Sequence, residues 1–255
     1  MKDFLLPFIA EEEETILSAL KIIDLNKKGF LIIVDKDERA IGTLTDGDIR
    51  RAFIAGKTIT EKINKVYTQK FKFVNINDEL TSVIDLFKSE SVKFLPILDS
   101  NGKLVNIITK KQMHSLLLQD IHADLNYDFF NLDENIVEYE IFQRPWGFYK
   151  TTVLNEYFQS KIISVKPGQR LSLQSHNHRE EHWIVAHGNG QIQIDQSFID
   201  VKCGNSLFIP KGAKHRIINT DKKENLIITE VQIGDYFGED DIIRYEDDYG
   251  RIKNK

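Results

Sequence analysis

The chain has 255 residues, 41% of them hydrophobic, enough for one large domain or two ordinary ones with buried cores. Its 39 acids outnumber 34 Lys and Arg, a formal charge of -5 that argues against general affinity for nucleic acid or an anionic membrane. The single cysteine, Cys203, excludes an intramolecular disulfide and suits a reducing compartment; its thiol is expected to pack.

The N-terminal MKDFLLPFIAEEEE lacks a basic leader and a small-residue cleavage site. No stretch approaches the ~18 continuous apolar residues that span a bilayer, so a soluble, cytoplasmic protein is expected. Glu14 to Leu25 sets Ile16, Leu17, Leu20, Ile23 and Leu25 on a helical stripe, which Gly29 ends before the strand FLIIVD. A turn, a second strand and the helix DIRRAFIAG follow. The order then recurs: DELTSVIDLFKSE is helical, KFLPILD and LVNIIT are strands around the turn SNGK, and KQMHSLLLQ is a helix.

Such a duplication reads as one unit used twice, each half leaving a sheet face for the other to cover. FLIIVDKDERAIGTLTDGDIRRAF, echoed by FLPILDSNGKLVNIITKKQM, resembles a tandem pair of CBS domains, an α+β module, over residues 1–118. In that family the hydroxyl and carboxylate of a Thr-x-x-Asp pattern hold a nucleotide ribose. The first copy has Thr45 and Asp48; the second has Gln112 where the acid belongs. The resemblance implies an adenine or other nucleotide at the first half-site, and the plainer alternative is a module for dimerisation and scaffolding.

Residues 119–140 are acidic with scattered aromatics and read as a connector. From residue 141 to 255 strands dominate, with turn signals at PWG, KPG, HGNG, KCGN, PKGA and NTDKKEN, the pattern of an all-β sandwich or barrel. In LSLQSHNH, residues two apart share a face, so Gln174, His176 and His178 are expected to point into one interior. The returning strand EHWIVAH is expected to bring Glu181 opposite His176 across the ladder and to end in a hairpin at Gly188-Asn189-Gly190. A closed site needs a ligand from elsewhere, and His215 after the Pro210-x-Gly212 turn supplies one.

Together these segments resemble the paired motifs of the cupin superfamily, whose fold is a double-stranded β-helix or jelly-roll barrel. Gln174 stands where many cupins have histidine. RPWG, LSLQSHNHREEHW, IPKGAKHR and VQIGDYFGEDDIIRYEDDYGR resemble the cupin domain of type II phosphomannose isomerases, the family whose larger members also carry a mannose-1-phosphate guanylyltransferase domain. That resemblance implies a metal set of Gln174, His176, Glu181 and His215. Two imidazoles, a carboxylate and an amide oxygen suit a divalent ion, zinc first, with manganese, iron or cobalt as alternatives.

The implied reaction is aldose-ketose isomerisation of a sugar phosphate, mannose 6-phosphate to fructose 6-phosphate by default, in nucleotide-sugar or surface-polysaccharide precursor supply. A base must move a proton between C1 and C2. His178, Glu180, His182 and a carboxylate from the tail are candidates, and Arg251 matches the family's C-terminal motif. Arg170 and Lys214, with Arg251, are expected to hold the phosphate. A homodimer is expected by analogy with both families. The alternative is a non-catalytic metal cupin that binds a sugar phosphate or nucleotide sugar and regulates a partner enzyme; an epimerase of nucleotide-linked sugars fits less well, since no His-Asp pair stands out. The chain contains no glycine-rich nucleotidyltransferase run, so synthesis of GDP-mannose is not expected of it.

Overall fold

The computed structural model describes residues 3–138 and 140–251; of the expected spans 1–118, 119–140 and 141–255, residues 1, 2, 139 and 252–255 lie outside it. Contacts divide the chain into two units. One runs up to His114 and includes His122–Leu132; the other comprises Ser115–Ile121 and the residues from Asp133 on.

The first unit is built twice. Strand β1 (Ile9–Glu11) is followed by helix α1 (Ile16–Asn26), β2 (Phe30–Val34), β3 (Ala40–Thr45) and α2 (Asp46–Ile54). The second copy has β4 (Val74–Asn75), α3 (Leu80–Phe87), β5 (Phe94–Leu98), β6 (Leu104–Thr109) and α4 (Lys110–Gln119), whose residues from Ser115 on fall in the second unit. Each copy pairs its first two strands in parallel and its last two as an antiparallel hairpin. The hairpin turns are made by the same device. Asp35 Oδ1 accepts the amides of Asp37 and Arg39, and Asp99 Oδ1 those of Asn101 and Lys103. Phe30 and Phe94, equivalent residues opening β2 and β5, stack with ring centroids 3.7 Å apart. The duplication legible in the sequence is therefore a structural one.

The Thr-x-x-Asp pattern has a local role. Thr45 caps α2: its Oγ1 accepts the Asp48 amide, and Asp48 Oδ2 accepts the Thr45 amide at 2.8 Å, a reciprocal capping box. In the second copy Gln112 takes the acid's place, Oε1 accepting the Thr109 amide at 2.8 Å. Gln112 Nε2 also donates to the Phe129 carbonyl, and buried Asn106 donates to those of Leu125 and Tyr127. These two amides tie residues 122–132 to the first unit.

The second unit contains β7 (Ile141–Arg144), β8 (Gly147–Leu154), β9 (Phe158–Val165), β10 (Leu173–Ser175), β11 (Arg179–His187), β12 (Asn189–Ile194), β13 (Ser197–Lys202), β14 (Ser206–Ile209), β15 (His215–Ile218), β16 (Leu226–Gly234) and β17 (Ile243–Glu246). They form two sheets, ordered β13-β12-β15-β10-β17 and β14-β11-β16-β9-β8-β7. Trp146, Trp183, Val185, Ile192, Ile217 and Ile228 are among the core residues. This is the expected cupin barrel, with one correction: β11 and β12 lie in different sheets, so Gly188-Asn189 is a crossover and not a hairpin. Gly147, of the RPWG motif, has φ +149°, and a Cβ there would lie 1.9 Å from the Ser164 carbonyl oxygen, so only glycine lets β8 lie against β9. Cys203 is exposed and donates Sγ–H to the Ala186 carbonyl; it does not pack in the core as expected.

Candidate metal centre

The centre lies between the two sheets. Gln174 on β10 pairs with His215 on β15, both in the five-stranded sheet, whereas Glu181 comes from β11 of the other. His176, Glu181 and His215 are all buried, and one ligand atom from each falls within 4.8 Å of the others. His176 Nε2 is 3.1 Å from Glu181 Oε1, and His215 Nε2 is 3.4 Å from Glu181 Oε2. Gln174 lines the same cavity and its Oε1 accepts the Ser172 hydroxyl.

The donor set fits a cation. His215 is positioned to donate Nδ1–H to the Ala213 carbonyl at 2.9 Å, which leaves a lone pair on Nε2. That Nε2 and both ring nitrogens of His176 are buried without a hydrogen-bond partner. Burial lowers the His215 pKa and favours the neutral ring. Two imidazole nitrogens facing one carboxylate leave an electron-rich gap that a divalent ion would fill. The cavity, about 50 Å³, has room for an ion and a few waters or substrate oxygens.

Glu181 is anchored from behind. Trp183 Nε1 donates to Glu181 Oε2 at 3.0 Å and to Glu230 Oε2 at 2.9 Å; Gln232 Nε2 donates to Glu181 Oε1 and Glu230 Oε1, both at 2.9 Å. Burial alone would raise the Glu181 pKa, but His215, His176 and Arg179 outweigh it and hold the carboxyl well below the usual range. Glu230 goes the other way, pushed up to about 8 by burial and then by the charge of Glu181.

The other residues singled out in the sequence separate into two groups. Arg251 lines the cavity while Asp247 grips its guanidinium. His178, Glu180, His182, Arg170 and Lys214 do not line it. Alternation was expected to carry His178 inward, but β10 ends at Ser175, and the Asp241 carboxylate takes the amides of Asn177 and His178. The chain turns there, leaving His178 exposed with Nδ1 3.2 Å from Asp235. A Cβ at Gly234 would lie 2.1 Å from the His178 carbonyl oxygen, so glycine admits this loop. Glu180 and His182 occupy the face of β11 opposite Glu181, with His182 against the Phe208 ring. Arg170 is held by Asp248 at 2.7 and 3.0 Å, and Lys214 sits over the Tyr245 ring. Nor are His176 and Glu181 ladder partners: β10 and β11 belong to different sheets, and the two residues meet across the interior.

The sequence reading missed Arg144, Lys161, Arg179, Glu230, Gln232 and Arg244, which all line the cavity. Some signal was present. Arg179 shares the period-two face of Glu181 and Trp183, and Glu230 and Gln232 alternate along β16. Arg179 is 1% exposed and donates Nη1–H to the Gly238 carbonyl at 3.0 Å, near Asp241 at 3.4 Å.

Fold and site define a cupin with a buried His-Glu-His set, carried by a chain that also holds a pair of CBS domains. Residues 131–247 match the family described as mannose-6-phosphate isomerase C-terminal, and residues 6–55 and 63–118 match the CBS domain. The C-terminal domain is thus similar to the mannose-6-phosphate isomerase C-terminal family, the resemblance the motifs carried. The alginate biosynthesis protein AlgA of Pseudomonas aeruginosa is 42% identical over 168 residues, 61% of this chain and 34% of the relative. A mannose-1-phosphate guanylyltransferase of Salmonella montevideo is 43% identical over 121 residues, 48% of this chain and 25% of the relative. The chain thus spans roughly a third or less of these curated relatives. Among solved structures, an RmlC-like cupin from Shewanella frigidimarina is similar with a TM-score of 0.35 and 19% identity, covering 40% of this chain and 86% of that one.

Proposed function

We propose that the cupin domain is a metal-dependent aldose-ketose isomerase acting on a sugar phosphate, mannose 6-phosphate first, in the supply of polysaccharide precursors. The observation that carries the reading is the buried His176-Glu181-His215 set, with Gln174, His176 and Glu181 lining a cavity that arginines also line. These four residues would hold the ion, zinc by preference. When bound, it would supply a Lewis acid for the carbonyl and hydroxyl oxygens of the substrate.

The protein's own groups do the rest. Trp183 and Gln232 fix the Glu181 carboxylate in place. Glu230 is assigned the proton transfer between the two carbons, because His178, Glu180 and His182 lie off the cavity and Glu239, which also lines it, is engaged by Arg144 and Tyr149. Trp146, Trp183 and Leu171 line the apolar wall and exclude water from the reacting carbons. The CBS pair supplies nucleotide sensing through Thr45 and Asp48, or dimerisation.

The test is a coupled assay with mannose 6-phosphate on EDTA-stripped protein and on protein restored with zinc, manganese or cobalt. Metal-dependent turnover lost in His176→Ala supports the isomerase. Stoichiometric metal binding with no turnover sinks it and leaves a regulatory cupin that binds the sugar phosphate.

A further inference from the structure

A second cavity, about 210 Å³, adjoins the metal cavity and lies wholly within the second unit. It is larger than the roughly 150 Å³ that suffices to admit benzene. Leu118, Ile136, Phe142, Leu154 and Phe237 give it apolar walls. Tyr149, Lys161 and Glu239 line both cavities and so form the partition between them.

Three polar side chains from β8 and β9 line this apolar space, Gln159 and Lys161 each 6% exposed and Thr151 5%. Gln159 and Lys161 stand two apart on one face of β9, and Thr151 on β8 is the register partner of Lys161. Gln159 Oε1 is buried with no hydrogen-bond partner. Its register partner on β16, Gln232, does not supply one, because the Gln232 amide donates to Glu181 and Glu230. A buried acceptor left unpaired is costly, so the place calls for a donor. Lys161 holds its ammonium 4.9 Å from the Tyr149 ring centroid. The acids around it are engaged elsewhere: Glu140 by Lys150 at 2.8 Å, and Glu239 by Tyr149 at 2.9 Å and Arg144 at 3.3 Å. Glu230, opposite Lys161 on β16, accepts from Trp183 and Gln232. The ammonium, with three hydrogens to give, is left facing an apolar space that suits an anion with an apolar body.

We propose that this second cavity binds a small 2-hydroxycarboxylic acid with an apolar body. The carboxylate accepts from Lys161 Nζ and from the Thr151 hydroxyl, a charge-assisted pair of bonds. The ligand's hydroxyl donates to Gln159 Oε1, and its body packs against Leu118, Ile136 and Leu154. None of this depends on the isomerase reading, since the site holds neither the metal set nor the substrate.

Titration calorimetry of the full chain with 3-phenyllactate as the probe tests this, with circular dichroism to establish that each variant is folded. Wild type is expected to bind one molecule per chain with Kd below about 1 mM, alike after EDTA treatment and with zinc restored. Gln159→Met weakens binding about 3- to 10-fold, the range for one neutral hydrogen bond, and 3-phenylpropionate, which lacks the hydroxyl, loses as much. For that second ligand Gln159→Met costs nothing further, because the contact is already gone. Lys161→Met weakens binding of either acid about 10- to 100-fold. Ile136→Trp fills the cavity from the turn Glu134–Val137, outside both sheets, and abolishes binding; it decides the matter if a β9 variant does not fold. His176→Ala and Asp48→Ala bind as wild type does, which separates the site from the metal set and from the CBS half-site. No heat of binding at about 10 mM probe overturns the proposal and leaves water as the partner of Gln159. So does binding that Ile136→Trp leaves unchanged. Binding lost on EDTA treatment or in His176→Ala puts the carboxylate on the metal, and binding lost in Asp48→Ala puts the probe in the CBS unit; either overturns the second site.

Discussion

Trp183 has one N–H and shares it between two carboxylates, those of Glu181 and Glu230. Trp183→Phe keeps most of the ring in the core while removing that donor. Zinc affinity should fall about 10- to 100-fold, as is usual when a partner that orients a metal ligand is lost, and competition against a chromophoric chelator measures it. Glu230 sits behind the same donor and lines the cavity. Glu230→Gln keeps the shape and removes the transferable proton, so kcat for mannose 6-phosphate should drop by roughly 100-fold or more with KM little changed. A kcat within a few-fold of wild type would assign the proton to another group.

At the scale of the element, α2 and α4 start alike with different chemistry. Asp48 closes one box and Gln112 the other. The Asp48 carboxylate already accepts the Thr45 amide and hydroxyl and pairs with Arg51. Asp48→Ala should therefore lower the first unit's stability by about 1 kcal/mol with no nucleotide present, measured by urea unfolding. If AMP stabilises the wild type and not this variant, the carboxylate serves a ribose as well as the cap. Gln112→Ala should cost more, about 1–3 kcal/mol, because it also strips the buried Phe129 carbonyl of its donor. The loop around Asp241 is the barrel's counterpart: by holding the amides of Asn177 and His178 it ends β10 and turns His178 outward.

For the whole molecule, a metal held by the proposed set would be a ligand of the folded barrel. An ion at 1,000 times its Kd adds about 4 kcal/mol to the state that binds it. Differential scanning calorimetry should show a transition that rises when zinc is restored to EDTA-treated protein, and no such rise in His176→Ala. An equal response in that variant would put the ion elsewhere. Among the described residues no helix is long and apolar enough to cross a membrane.

The duplicated α+β unit and the strand-rich C-terminal half were legible in the sequence because they rest on local signals, hydrophobic period and turn residues, whereas Gln174, His176, Glu181 and His215 were brought together as candidate ligands by the family resemblance. Tertiary structure alone decided which neighbours of those residues face the site. Period two holds only while a strand lasts, so His178 left the interior when Asp241 ended β10. Arg244 faces the site because β17 pairs with β10, an adjacency of residues 70 apart that no local pattern encodes. Likewise His176 and Glu181, five residues apart, meet because two sheets close on one another across a buried core.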